Sequence, residues 1–106
     1  MNSSNTMEKN ECALFKVGSE SNVHKVSEAI YKSYLEGANL EIQAVGGGAV
    51  NQAVKSLAIA RSKLALAGKD IAVIIGFRDI SNSKKVGETI SAVNFTLVNL
   101  RYESRR

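Results

Sequence analysis

Three consecutive glycines, Gly46-Gly47-Gly48, end an alternating segment, EIQAV, and open onto a helix-like one, AVNQAVK. A glycine-rich turn between a strand and a helix can hold a phosphate. The first amides of a helix point outward without partners and carry partial positive charge. The dinucleotide fingerprint G-x-G-x-x-G would start on Gly46 and Gly48, but Asn51 stands where its third glycine belongs. No G-K-[ST] follows, so the phosphate loop of nucleoside triphosphatases is excluded. Three uses of the glycines stay open. They could form a small-nucleotide pocket. They could make a sharp turn that lets the helix close on the sheet. Or they could present bare main-chain amides to an extended phosphate backbone.

Other residues along the chain could join such a site. Asn51 and Gln52 fall in the first turn of the helix, where they could cap it, bond a sugar or touch a base edge. Lys55 follows on the same helix. Arg61 falls between Val50 and Val54 on a helical wheel, among apolar positions. A bare charge there is costly, so Arg61 must snorkel past the helix end or find an internal acid or a phosphate. Ile59 points the opposite way, among Gln52, Lys55 and Lys63, and a subunit interface along this helix would bury it. Arg78 precedes the polar stretch SNSKKVG, and Lys84 and Lys85 lie within it. Lysines at such a tip are either solvated guards against sheet pairing or a basic ribbon that enters a groove. Arg101, Arg105 and Arg106 make a basic tail that adds sequence-independent attraction to a polyanion.

Catalysis has no visible machinery. His24 is the one histidine and Cys12 the one cysteine, with no base close by in sequence to activate the thiol. No nucleophile–base pair and no metal-ligand set can be read, so neither an enzyme, a metal nor a cofactor is expected. One cysteine precludes an internal disulfide framework, and a reducing cytoplasm is the expected location.

These residues need elements to hold them. Ala13–Val17 reads as a strand, and Ser21 or Asn22 as a helix cap. Val23, Val26, Ile30 and Tyr34 form one helical stripe, ended by Gly37. Leu40, Ile42 and Ala44 alternate with Glu41 and Gln43, a half-buried strand. The second helix carries Val50, Ala53, Val54, Leu57, Ala60 and Leu64 on one face and stops near Gly68. Ile71–Phe77 is nearly continuous in apolar residues, which suits a central strand buried on both sides or beside a helix layer. Val93, Phe95 and Leu97 alternate with Asn94 and Thr96; Val98 and Leu100 then blur the pattern, as a bulge or a two-sided interface would. The predicted fold is α/β, in the order β-α-β-α-β-β. A four-stranded mixed sheet carries two helices on one face, and the last two strands form a basic-tipped hairpin.

A chain of 106 residues makes one domain. Residues 1–11 are polar and aperiodic, a disordered lead-in to a domain over 12–106. The apolar runs are too short to cross a membrane, and the amino terminus has no apolar secretory core. The net charge of +4 is unevenly spread. Residues 1–48 hold four lysines and six acids, a net of −2; residues 49–106 hold ten Lys/Arg and four acids, a net of +6. A polyanion partner or plain solubility would each produce this asymmetry.

The run EIQAVGGGAVNQAVKSLAIAR, residues 41–61, resembles the signature segment of the stage V sporulation protein S family, and IIGFRDI, residues 74–80, resembles that family's third strand. The similarity covers roughly residues 13–100. The family is similar in fold to Alba, the archaeal chromatin protein, whose relatives are typically dimers that bind DNA or RNA without catalysis. The resemblance therefore implies an Alba-like fold, a homodimer, a nucleic-acid partner and a regulatory role in sporulation or a related developmental programme. Alba proteins carry an Arg-Gly-Arg-like loop where Gly46-Gly47-Gly48 stand here, so contacts at that loop would fall to main-chain amides. Arg78, Lys84 and Lys85 match the basic hairpin, and Arg61 stands where Alba proteins tend to carry arginine. The expected nucleic-acid contacts are thus Gly46, Gly47, Gly48, Asn51, Gln52, Lys55, Arg61, Arg78, Lys84 and Lys85. The competing expectation is a protein–protein or small-nucleotide regulatory module that binds no nucleic acid.

Overall fold

The computed structural model describes residues 12–82 and 84–100. The lead-in over 1–11 and the basic tail of Arg101, Arg105 and Arg106 lie outside the described residues. The elements are β1 (Cys12–Val17), α1 (Val23–Leu35), β2 (Asn39–Ala44), α2 (Gly47–Leu66), β3 (Asp70–Ser81) and β4 (Thr89–Leu100). The α/β fold has the expected order of elements and a four-stranded mixed sheet.

The strands lie in the order β1-β2-β4-β3. β1 and β2 run parallel, joined through α1, and both other pairings are antiparallel. The register decides which residues share a face. Phe15 pairs with Ile42, Ile42 with Phe95, and Phe95 with Ile75. Side chains of that parity, including Val17, Leu40, Ile42, Ala44 and Phe95, form one buried cluster with Ile30 of α1 and with Ala49, Ala53, Leu57 and Ala60 of α2. Both helices therefore cover the same face. Burial of Phe95, Ile30, Leu40, Ile42 and Leu64 stabilises the fold by roughly 1.5–3 kcal/mol each.

Local sequence explains the helices. The Asn22 side chain accepts the Lys25 N–H at 3.0 Å and starts α1, which ends at Leu35, two residues ahead of Gly37. The helices pack through small residues. Ser27 and Ser56 are fully buried, and each hydroxyl donates to a carbonyl of its own helix, His24 and Gln52 respectively. Neither serine is left with an unmet donor, so the backbones can approach closely.

Three expectations need correction. β3 is an edge strand, not a strand buried on both sides. Ile71 is buried, but Ile74 and Ile75 are 63% exposed and Phe77 is 81% exposed. α2 covers only the start of β3, because the sheet order puts β3 beyond the helix pair. Val54 is half exposed rather than part of the core stripe, and Ala49 and Ser56 take up the buried face instead. β4 has no bulge: every residue from Thr89 to Leu100 pairs with β3 in one continuous register.

Candidate nucleic-acid interface

The pairing of β2 with β4 ends at Ala44–Val93, while the β3–β4 ladder continues for four more pairs, Arg78–Ala92 to Ser81–Thr89. At ~3.3 Å per residue the hairpin projects about 13 Å past the end of β2. The glycine turn follows that same end of β2. The turn and the root of the arm therefore share one pole of the sheet.

Gly46 adopts φ 91° and ψ 157°, a region open to glycine almost alone, and this angle turns the chain from β2 into α2. No side chain caps the helix. Its first bond runs from the Val50 N–H to the Gly46 carbonyl at 3.0 Å, so the amides of Gly47, Gly48 and Ala49 lie ahead of the bonded ladder. A side chain on Gly48 would put its Cβ 2.9 Å from the Ser19 Cβ. Glycine is needed there because the β1–α1 turn packs directly against the start of α2. Gln52 fixes the same contact by donating to the Ser21 carbonyl at 2.9 Å, and Asn51 donates to the Gln52 side chain at 3.2 Å. Gln52 thus braces the loop, and Asn51 remains exposed at the helix start.

The hairpin tip is organised by Asn82. Its N–H donates to the Glu88 carbonyl, its carbonyl accepts the Lys85 N–H, and its side chain accepts the Lys84 N–H at 3.0 Å. Lys84 and Lys85 are exposed there, beside a fully exposed Val86. Arg78, at the root of the arm, donates to Glu41 of β2 at 3.0 Å.

The other two cations sit elsewhere. Lys55 is exposed on the solvent side of α2, eight residues or about 12 Å from its start. Arg61 lies fourteen residues along, about 21 Å away. It forms a two-pronged ion pair with Asp70 at 2.6 and 3.0 Å; its side chain is 60% exposed, so it lies outside the buried stripe, and Asp70 is its internal partner. Nearby, the Tyr34 hydroxyl donates to Asn99 at 2.6 Å. Burial first, and the Asp70 carboxylate second, raise the Tyr34 pKa above its ordinary value. Ile59 is half-buried on the flank that carries Gln52 and Lys63, and Lys63 donates to Glu28 of α1 at 2.6 Å.

The structure thus gathers Gly46, Gly47, Gly48, Asn51, Gln52 and Arg78 at one pole, with Lys84 and Lys85 on the arm reaching beyond it. Lys55 and Arg61 stand apart. Among the described residues, no helix is long and apolar enough to cross a membrane. A family model described as stage V sporulation protein S matches residues 13–100, from the second residue of β1 to the last of β4. Both the glycine turn and the arm fall inside that match. The chain belongs to the stage V sporulation protein S family, a membership that supports a regulatory role in sporulation.

Proposed function

We propose that this regulatory protein acts in the cytoplasm as a non-catalytic nucleic-acid-binding protein. The observation that carries the reading is the shared pole: uncapped amides at the start of α2, with an arm projecting beside them that carries exposed Lys84 and Lys85. Amides would take one phosphate and the lysines others, with affinity drawn largely from counterion release and little from sequence. Affinity for duplex DNA, single-stranded DNA and RNA at two salt concentrations tests it. The wild type should lose affinity steeply with salt, and Lys84→Ala/Lys85→Ala should flatten the log–log slope by about 1.8. Salt-insensitive binding, or none, would overturn the reading.

A homodimer goes with it. Arg61 reaches Asp70 at the start of β3, so the Val54 flank of α2 faces β3. Val54, Ile75 and Phe77 together form an apolar strip, 50%, 63% and 81% exposed, of a kind monomers rarely leave bare. A second copy would cover it, and Phe77→Asp should convert a dimer to a monomer in sedimentation.

One observation favours the small-nucleotide alternative. An open cleft of about 880 Å³ at the far pole is lined by Arg61, Ser62, Lys69, Asp70 and Asn99 among others. Its Arg61 and Asp70 charges offset each other, which leaves Lys69 as the net positive charge toward a phosphate. Saturable binding of a mononucleotide without salt-sensitive polymer binding would favour that reading.

A further inference from the structure

The face of the sheet away from the helices carries polar groups in register. Lys16 pairs with Gln43, Gln43 with Asn94, and Asn94 with Gly76. Among the described residues no helix covers this face, yet Gln43 and Asn94 are 5% and 7% exposed. The register supplies the cover. Arg78 is level with Ala92 and Glu41 with Thr96, so their ion pair crosses β4 diagonally over Asn94, midway between.

Beneath that bridge the Asn94 amide is incompletely satisfied. Its nitrogen donates to the Thr96 hydroxyl at 3.3 Å, and its oxygen is buried with no partner. Exchanging the amide oxygen and nitrogen only moves the orphan to the other atom. A buried amide atom without a partner is costly and uncommon. Threonine or valine would fill the same place in a strand without that cost. Beside it, Gly76 has no side chain, and a Cβ built there would meet nothing within 4 Å. The result is a notch with an amide edge at its wall, a half-exposed arginine over it and exposed Ile74 alongside.

We propose that this notch takes an unpaired base of a nucleic-acid strand, with Arg78 leaving Glu41 to hold the adjoining phosphate. The proposal rests on the nucleic-acid reading and gives it a preference for single-stranded polymer. An asparagine amide presents one donor and one acceptor side by side, which matches an adenine edge best. Lys16 and Arg78 flank the amides with charge complementary to a phosphate backbone, and the row lies one residue before the end of β2 that enters the glycine turn. The notch is therefore continuous with the interface already described.

The test is a titration of the full-length ¹⁵N-labelled protein with single-stranded oligodeoxyadenylate, and separately with inorganic polyphosphate of matched length. Both should shift the amides of Gly46–Gly48 and Lys84–Lys85. Only the oligonucleotide should shift the side-chain NH₂ signals of Asn94 and Gln43. Asn94→Leu should weaken oligonucleotide binding about tenfold and leave polyphosphate binding unchanged. Glu41→Gln, which releases Arg78, should tighten oligonucleotide binding several-fold. The wild-type spectra decide the matter even if Asn94→Leu does not fold. Side-chain amides that stay fixed at saturation, or Asn94→Leu binding as the wild type does, would sink the inference alone. Failure of both polymers to bind would sink the nucleic-acid reading with it. A mononucleotide that shifts these amides where the strand does not would reassign the notch and overturn the proposal.

Discussion

The two ends of α2 settle their polar groups in opposite ways. At the carboxyl end the groups are paired within the chain. Arg61 holds Asp70 through two contacts, and Asp70 also accepts the Ile71 N–H at 2.8 Å. The Ala67, Gly68 and Lys69 amides return to carbonyls of the last turn. At the amino end the helix starts without a side-chain cap, on a glycine in a conformation other residues avoid. One end is closed by its own residues, and the other has main-chain donors to offer. Positive charge alone therefore does not mark an interface. Arg61 is paired within the chain to Asp70, whereas the amides of Gly47 and Gly48 carry no formal charge and lie ahead of the bonded ladder.

Substitutions at the two ends test that contrast. The largest effect on stability is expected at the open end. Gly46→Ala forces a side chain into a glycine-only region at a cost of about 1–3 kcal/mol, a fall of about 5–15 °C in melting temperature. An unchanged melting temperature would mean the turn relaxes freely and holds no fixed cradle. At the closed end, Arg61→Ala should cost about 1 kcal/mol, because it leaves the largely buried Asp70 without its guanidinium. Polymer affinity should stay within about twofold. A loss of tenfold or more would show that Arg61 contacts ligand and erase the contrast. The smallest effect concerns the helix pair. The hydrogen bond from Lys63, then its charge, lowers the Glu28 pKa below its ordinary 4.5. A carboxylate with a lowered folded pKa contributes stability that is present above its unfolded value and is lost as pH falls through the folded one. Lys63→Met should therefore be slightly less stable near neutral pH, and its acid-denaturation curve should converge on the wild type's below about pH 4. Curves that stay parallel there would show the bridge contributes nothing.

Much of the fold was legible because each element buries a face and leaves a periodic trace. The stripe Val23, Val26, Ile30, Tyr34 and the alternation Leu40, Ile42, Ala44 both report one-sided burial, and both elements formed where expected. Ile71–Phe77 misled for a physical reason. An apolar run records the hydrophobicity of a strand, not its place in the sheet, and the strand order puts β3 at the edge. Arg61 was legible as a charge that needed a partner, but Asp70 could not be named before the turn after α2 was known. Glu41, Gln43, Asn94 and Thr96 were visible as the polar phase of two alternating strands. Such residues normally read as a solvated face. Only the register, which brings Gln43 beside Asn94 and lays the Arg78–Glu41 pair over Asn94, sets them apart from such a face.

The exposed edge of β3 has a consequence for solubility. Residues 71–77 contain no charge and no proline, and among the described residues no strand pairs with the outer side of β3. Such a strand is a template for open-ended sheet growth. In the proposed homodimer, covering the strip by Phe77 would also guard the protein against aggregation, so a variant unable to dimerise should appear as fibres or precipitate, not simply as free monomer.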